Sequence, residues 1–463
     1  MALVKTFAAL IALGIIAAAG FAVFAWRSAI DPISAPATAS FDRALVARGA
    51  KLAALGNCDT CHTAADGRAF AGGAGVQTPF GTIYATNITP DAETGIGTWS
   101  AAAFSRAMRE GVDRQGRHLY PAFPYDHFTL LRDEDVAALY AYLMTREPVR
   151  ASAPANELAF PFNLRPLIAA WKLMFLRAGP YRPDPSRGSE WNRGAYLVEG
   201  LSHCGACHTP RNALGAEKRG DALGGGEAEG WTAYALDHSS PAPVPWNKDA
   251  LAFYLRNGWQ RDHGIARGPM APVIDNLAPL PDSDLAAIAT YVSDVLGEPS
   301  EERRRAGEAI LERARSGRGH DSISSDAQPT GLTAAEQAPG ARIYRSACAP
   351  CHDSGRPLPF GGIDLSLSTG PSGPTARNLI NVVLWGLPPA QGERSPVMPG
   401  FADELNDAQL GDLLNYVRAR FGNKPAWSSI ADDIYAARNG NVAVYPAHGF
   451  DPSNAMFSKQ EAR

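Results

Sequence analysis

Apolar residues follow helical spacing at the start and end of three similar regions of the chain. Positions three and four residues apart that are apolar predict amphipathic helices. The opening stretches begin at Arg48-Gly49-Ala50, Arg193-Gly194-Ala195 and Gly340-Ala341, and the closing stretches run over 133–143, 282–292 and 407–417. The pattern therefore predicts three helical repeats.

The closing helices resemble one another in detail. Each begins at an acidic residue, which suits a helix N-terminus. Each also carries a tyrosine at the same place, and these residues are Tyr142, Tyr291 and Tyr416. Self-similarity at a nearly fixed period indicates that the chain is built from repeated structural units.

The N-terminal pattern is different, because residues Thr6 to Trp26 carry no charge. A helix of that length is about as long as the hydrocarbon core of a bilayer is thick. We expect segment 1–30 to be an uncleaved membrane anchor. The alternative is a cleaved secretory signal, although the nearest A-x-A triplet, Ala37-Thr38-Ala39, lies beyond the apolar run. Either interpretation places the globular part outside the cytoplasm.

All six cysteines fall in C-x-x-C pairs that a histidine follows at once. The three motifs comprise Cys58, Cys61 and His62; Cys204, Cys207 and His208; and Cys348, Cys351 and His352. This spacing is typical of covalent haem attachment. Two thiols on one helical turn can bond the two vinyl groups of a porphyrin, and the next imidazole can ligate the iron. The sequence therefore predicts three haems c.

Other uses of the cysteines explain less of the pattern. Three disulfides would suit an exported protein but leave the histidines without a role. Structural zinc needs four ligands, usually from two paired knuckles, and no second knuckle accompanies any pair. A thioredoxin-like dithiol would account for one pair, not for three pairs with adjoining histidines.

The sixth iron ligand is expected in the loop before each closing helix. Met270 and Met398 occupy matching places there, flanked by proline and glycine. Methionine is more often core filler than ligand, but the matched placement favours ligation. A Met/His iron has a raised reduction potential, which suits an electron carrier.

The first repeat departs from this pattern, because Phe123 stands in the methionine slot. His127, four residues further on in the same loop, is the predicted replacement opposite His62. The rivals are Met108, His118, Met144 or an iron with an open position. An open position would suit a peroxidase or a gas-binding haem protein.

Composition excludes some other functions. The chain of 463 residues has a formal net charge of −4 and no long basic run, so no nucleic-acid partner is expected. Gly224-Gly225-Gly226 indicates a loop and not a nucleotide site. No feature of the sequence predicts oxidation of an organic substrate by the chain itself, and whether the chain has an enzymatic activity of its own is left open.

Two stretches of the first repeat, Thr78 to Asp91 and Gly95 to Ser100, carry a family resemblance. With these two stretches and the three motifs, residues 41–425 resemble the triheme cytochrome c subunits of bacterial membrane-bound dehydrogenases. Many members have Tyr-Pro-Ala-Met-Pro-Tyr where this chain has Phe123. The variant with Phe and a following Asp-His resembles the branch that accompanies molybdenum hydroxylases, such as nicotinate, isoquinoline and aldehyde dehydrogenases.

The resemblance implies an all-α fold of three tandem class I cytochrome c-like domains after an N-terminal membrane-spanning helix. The expected divisions are 1–30 anchor or signal, 41–150 first domain, 151–185 connector, 186–297 second domain, 298–336 linker, 337–425 third domain and 426–463 tail, a possible docking segment for a partner.

It also implies a role in electron transfer. A catalytic dehydrogenase subunit, together with an iron–sulfur subunit, would supply electrons that the chain passes to ubiquinone or another respiratory acceptor. The alternatives are a haem enzyme that uses an open first haem and a free-standing electron shuttle.

Overall fold

The computed structural model describes residues 2–316, 338–356, 362–387, 398–440 and 442. The chain divides into two compact units: the first comprises 1–186, 196–203 and 213–216, and the second comprises 187–195, 204–212 and 217–463. The end of the expected linker and the tail residues Tyr445, Phe450 and Phe457 lie outside the described residues.

The first unit contains helices α1 to α7 and a small antiparallel sheet. The helices are α1 Ala2–Ala25, α2 Arg43–Leu55, α3 Cys58–His62, α4 Ala101–Glu110, α5 Tyr125–Phe128, α6 Asp133–Met144 and α7 Leu167–Phe175, with a 3-10 turn Thr38–Ser40 and a π-helical turn Tyr196–Leu201. The sheet has the order β1 Gly75–Thr78, β2 Gly81–Tyr84 and β3 Glu157–Leu158.

The second unit contains the helices that follow in the chain. They are α8 Ser189–Ala195, α9 Gly205–His208, α10 Lys248–Asn257, α11 Met270–Leu277, α12 Asp282–Leu296, α13 Glu301–Arg315, α14 Pro339–Ile343, α15 Ala349–His352, α16 Thr369–Ser372, α17 Arg377–Trp385, α18 Asp407–Gly422 and α19 Ile430–Asn439, with a 3-10 turn Arg219–Asp221 and a π-helical turn Tyr344–Cys348. Two hairpins accompany them, β4 Gly226–Ala228 with β5 Trp231–Ala233, and β6 Trp259–Gln260 with β7 Gly264–Ile265.

The predicted closing helices are confirmed as α6, α12 and α18, which begin at Asp133, Asp282 and Asp407. The seven short strands in the described part of the chain were not predicted, because runs of two to four residues are too short to show an alternating pattern. One of them, β2, starts at Gly81, whose φ of +123° disfavours any residue with a side chain.

Each opening helix crosses its closing helix at the repeated glycine. A Cβ on Gly49 would stand 2.0 Å from the carbonyl oxygen of Ala138, and one on Gly194 would stand 2.0 Å from that of Ala287. In the third repeat, a Cβ on Gly340 would stand 2.0 Å from the carbonyl oxygen of Asp412. Only glycine lets the two backbones approach so closely.

The same crossing explains the repeated tyrosine. The Cβ atoms of Tyr142, Tyr291 and Tyr416 lie 2.6, 2.7 and 3.0 Å from the Cβ that an alanine would place at the crossing glycine. Each tyrosine therefore begins beside the glycine of its own repeat. The glycine and the tyrosine are two halves of one packing contact, which the chain uses three times.

The core of the third repeat extends beyond residue 425. Trp427, Ile434 and Ala437 are buried in the same apolar cluster as Leu413 and Leu414 of α18. The Trp427 ring also lies 4.0 Å from the Arg418 guanidinium carbon. The first part of the segment that the sequence assigned to a tail therefore packs as part of the third repeat.

Candidate haem-binding sites

Each C-x-x-C-H motif ends in a short helical turn, with Cys204 at the N-cap of α9 and Cys348 at the end of the π-helical turn before α15. The turns are α3, α9 and α15, and each directly follows or continues the opening helical segment of its repeat. All six cysteines are free thiols in the structure. The pairs are therefore available for attachment to a prosthetic group.

Four of the thiols are in an environment that keeps them protonated. Burial raises the pKa of Cys58 and of Cys204 to about 12, and it raises the pKa of Cys207 and of Cys348 to about 11. A redox dithiol needs the opposite shift, because the thiolate is its active form. The donor set fits thioether formation, in which a thiol adds across a vinyl group.

The three histidines of the motifs share one hydrogen bond. Nδ1 of His62 lies 2.6 Å from the carbonyl oxygen of Thr86, and Nδ1 of His208 lies 2.7 Å from that of Tyr234. Nδ1 of His352 lies 2.9 Å from the carbonyl oxygen of Ile363. A carbonyl can only accept, so Nδ1 carries the proton and donates it. This bond orients each ring and makes Nε2 the nitrogen suited to ligate iron.

Burial supports the same protonation state. Desolvation lowers the pKa of His62 and of His208 below the usual value for histidine, against the opposing effect of the Nδ1 hydrogen bond. Both imidazoles are therefore neutral at pH 7. A neutral imidazole with a fixed tautomer is the form that ligates a metal.

A glycine backbone closes over the third histidine. The Gly362 amide donates to the carbonyl oxygen of Cys351 at 2.8 Å, and a Cβ at Gly362 would lie 2.6 Å from Nδ1 of His352. Gly72 and Gly225 make the equivalent contact in the other repeats, donating to the carbonyl oxygens of His62 and His208 at 2.7 Å each. Each of these bonds holds an attachment turn against the segment that contains the donating glycine.

The two expected methionine ligands differ in their backbone. Met398 lies in an extended segment, where its carbonyl oxygen accepts from the Leu387 amide at 2.9 Å. Met270 is the first residue of α11, so the expectation that it lies in a loop is wrong. Proline is tolerated in the first helical turn, and Pro272 therefore does not prevent the helix from starting at Met270.

In the first repeat, Phe123 packs against the ring of Phe128 at a centroid distance of 5.4 Å. His127 lies on the short helix α5 and is only 9% exposed. The helix α5 contacts the π-helical turn Tyr196–Leu201. Its Nδ1 lies 2.6 Å from the carbonyl oxygen of Glu199. This is the kind of bond that the three motif histidines make, so His127 remains the predicted sixth ligand.

The rivals of His127 occupy other roles in the described structure. His118 uses both ring nitrogens, since Nε2 lies 2.8 Å from the carbonyl oxygen of Ala25 and Nδ1 lies 3.0 Å from Nζ of Lys172. Met108 and Met144 are buried on the helices α4 and α6, at 6% and 3% exposure. A helical core role accounts for both methionines.

The sequence gives no signal for His203, although it lies beside the first attachment turn. Its Nε2 lies 3.1 Å from the carbonyl oxygen of Gly56, two residues before Cys58. Its ring centre is 6.4 Å from that of His127. His203 and His127 therefore belong to one cluster near the first motif.

Two family matches cover the first and the third repeat. Residues 46–147 match the family described as cytochrome c, and residues 335–417 match the family described as cytochrome c oxidase, cbb3-type, subunit III. Both matched segments contain a C-x-x-C-H motif. Cytochrome c domains imply haem c as the cofactor.

Several relatives align along most of the chain. A nicotinate dehydrogenase subunit of Pseudomonas putida is 46% identical over 92% of this chain, which spans only 34% of that longer protein. The fructose dehydrogenase cytochrome subunit of Gluconobacter japonicus is 36% identical, with 88% of this chain and 86% of the relative aligned. The alcohol dehydrogenase (quinone) cytochrome c subunit of Gluconacetobacter polyoxogenes is 34% identical, with 88% and 87% aligned.

The similarity therefore extends well beyond the three short motifs, and two of these relatives are matched over almost their whole length. Cytochrome subunits of dehydrogenase complexes transfer electrons for a catalytic dehydrogenase partner. This chain belongs to the family of cytochrome c subunits of dehydrogenases.

Proposed function

We propose that this chain carries three covalently bound haems c and relays electrons from a periplasmic dehydrogenase to a respiratory acceptor. The observation that carries the proposal is the threefold recurrence of one arrangement. In each repeat, two free thiols precede a histidine whose Nδ1 donates to a backbone carbonyl.

The residues proposed for each haem site have different roles. Cys58 and Cys61, with their counterparts in the other repeats, would hold the haem covalently, and the histidine would supply one axial nitrogen. Met270 and Met398 would supply the opposite ligand in the second and third sites, and His127 would do so in the first. Bound haem supplies one-electron redox chemistry, while the protein sets its position and potential.

The proposed fold is the one expected from the repeats, with three tandem class I cytochrome c domains. Their shared helix crossing at Gly49, Gly194 and Gly340 supports this assignment. The short strands lie within the repeats as additions to a helical framework, except for β3, which lies in the connector.

The proposed partner is a molybdenum hydroxylase with an iron–sulfur subunit. Two observations support this branch. The loop of the first repeat has Phe123 and His127 in place of the usual methionine, and the nicotinate dehydrogenase relative is 46% identical to the chain. The fructose dehydrogenase and alcohol dehydrogenase (quinone) relatives are 36% and 34% identical over similar lengths of this chain.

The proposed location is the cytoplasmic membrane, with the globular part in the periplasm. Among the described residues, α1 is long and apolar enough to cross a bilayer, although a signal sequence meets the same criteria. Haem attachment through C-x-x-C-H motifs and membrane-bound relatives fit this location. Ubiquinone or another respiratory acceptor would take the electrons there.

Affinity purification of the mature chain from its own cell membranes tests this function. We expect a molybdenum-containing dehydrogenase and an iron–sulfur subunit to co-purify, and the partner's substrate to reduce the bound haem. A chain that purifies alone would favour a free-standing shuttle. A chain that purifies alone and also consumes peroxide would favour a haem enzyme with an open iron.

A further inference from the structure

The connector between the first two repeats exposes a large apolar surface. We call it the apolar ridge, and it consists of Phe160, Phe162, Leu164, Leu167, Leu173 and Met174. Phe160, Leu173 and Met174 are 78%, 72% and 59% exposed. Soluble proteins rarely expose apolar residues in such a run, and where they do so the surface marks an interaction site.

The opposite side of the connector is fixed to the first unit. Trp171 of α7 is 8% exposed, meets the Tyr125 ring edge-on at 6.2 Å and donates from its indole nitrogen to the Leu214 carbonyl oxygen at 3.0 Å. Ala169 is buried beside it. The helix α7 thus has one face buried on the unit and another, apolar face in solvent.

The ridge adjoins the end of the proposed membrane helix. The helices α1 and α7 are in contact. Nε2 of His118 donates to the carbonyl oxygen of Ala25, the last residue of α1, and Nδ1 of the same ring accepts from Lys172 of α7 at 3.0 Å. Lys172 also donates to the Gly111 carbonyl oxygen at 2.6 Å. One buried histidine therefore fixes the exit of the anchor and α7 to each other.

The residues around this junction suit a membrane–water interface. Trp26, which follows α1, is 69% exposed, and tryptophan is enriched at that level of a bilayer. No acidic residue lies between Leu158 and Asp184, whereas Arg177 and Arg182 are exposed on the same segment. Exposed arginines beside an apolar face suit anionic lipid headgroups.

We infer that the apolar ridge inserts into the outer leaflet of the membrane and acts as a second contact beside α1. The occupant is a lipid bilayer, because the ridge is continuous with a helix of membrane length. The inference rests on the proposed anchoring of α1. Insertion at two points would set the height and tilt of the first unit above the lipid surface.

Photolabelling from within the bilayer tests the inference. The full haem-loaded chain is reconstituted in liposomes of phosphatidylethanolamine and phosphatidylglycerol, with a trace of lipid that carries a carbene precursor near the top of its acyl chain. Labelled peptides are mapped by mass spectrometry. We expect adducts in α1 and on the apolar ridge.

The variant pair supplies the control. Leu173→Glu combined with Met174→Glu should abolish the adducts on the ridge and leave those on α1. Because both side chains are exposed, haem content and thermal unfolding should stay as in the parent chain. Tyr435→Glu, which changes an aromatic side chain that is 67% exposed in the second unit, should leave the ridge labelled.

The outcomes separate the two proposals. Adducts on α1 without adducts on the ridge would overturn the inference, as would ridge labelling that survives the double substitution. Adducts on the ridge without adducts on α1 would refute the anchor, and with it the inference that the ridge is a second contact beside α1. A ridge that liposomes leave unlabelled but the dehydrogenase partner protects from oxidative labelling would be a docking surface for protein, which also overturns the inference.

Discussion

Asn378 pairs with the backbone of Thr232 in both directions. The Thr232 amide donates to Oδ1 of Asn378 at 2.8 Å, and Nδ2 of Asn378 donates to the Thr232 carbonyl oxygen at 2.9 Å. Asn378 lies on α17 of the third repeat, and Thr232 lies on β5 of the second. Two residues after Thr232, the Tyr234 carbonyl oxygen accepts from Nδ1 of His208. A helix of the third repeat therefore positions the segment that holds the second motif histidine.

This pairing predicts an electrochemical effect of Asn378→Ala. The substitution removes two partly buried hydrogen bonds, at a cost of about 1–3 kcal/mol. It also frees the strand β5, which Tyr234 directly follows. A weaker bond to Nδ1 makes the His208 imidazole a poorer electron donor to iron. We expect the potential of one haem to rise in a redox titration.

The exposed Asn439 provides the matched control for that measurement. Asn439→Ala should change neither the potentials nor the free energy of unfolding, since its side chain bonds to Tyr435 of the same helix. An Asn378→Ala protein that is merely less stable, with every potential unchanged, would show that the pairing has no influence on the haem.

The glycine crossings predict a large difference between two Gly→Ala substitutions. Gly340→Ala forces a Cβ against the Asp412 carbonyl oxygen and should destabilise the third repeat by about 1–3 kcal/mol. Gly411→Ala, on the closing helix, meets nothing closer than a side-chain carbon at 3.8 Å. It should be neutral or stabilise by up to about 1 kcal/mol. Denaturant unfolding curves measure both, and equal effects would refute the close approach of the helices.

His127→Ala should change the spectrum of one haem. If His127 ligates the iron opposite His62, its removal should convert that haem from low spin to high spin in magnetic resonance and near-infrared spectra. His118→Ala is the control, because His118 is also buried but bonded to Ala25 and Lys172. A low-spin signature and potential that survive His127→Ala would exclude His127 as the ligand.

Two truncations separate the core of the third repeat from the docking segment. Ending the chain after Gly422 removes Trp427 and Ile434 from a buried cluster and should destabilise the third repeat. Ending it after Gly440 leaves that cluster intact, and we expect it to weaken co-purification with the dehydrogenase partner. Unchanged co-purification and turnover after the second truncation would show that residues beyond Gly440 do not dock the partner.

The repeated apolar pattern made the closing helices predictable from the sequence, and the short motifs supplied the proposed attachment residues. The opening Arg-Gly-Ala also indicated a repeat, but its reason, a helix crossing too close for any Cβ, appears only in three dimensions. The positions of His203 and Asn378 could not be predicted, because each bonds to a residue far away in the chain. The hydrogen bonds of the motif histidines likewise go to carbonyl groups, which have no sequence signature.

The exposure of the apolar ridge could not be predicted from the sequence either. Leu167 to Phe175 is an apolar stretch that could be buried or exposed. Burial of Trp171 and exposure of Leu173 distinguish the two faces. That division depends on the contact of Trp171 with Tyr125, which lies on another helix of the first unit.

The haem content of the mature chain is the direct test of the proposal that it carries three covalently bound haems. A pyridine haemochrome assay, set against the polypeptide concentration and the intact mass, counts covalently bound haems per chain. We expect three, and we expect Met270→Leu and Met398→Leu each to remove one Met/His spectral signature while the haem stays attached. Two or fewer haems per fully matured polypeptide would contradict it.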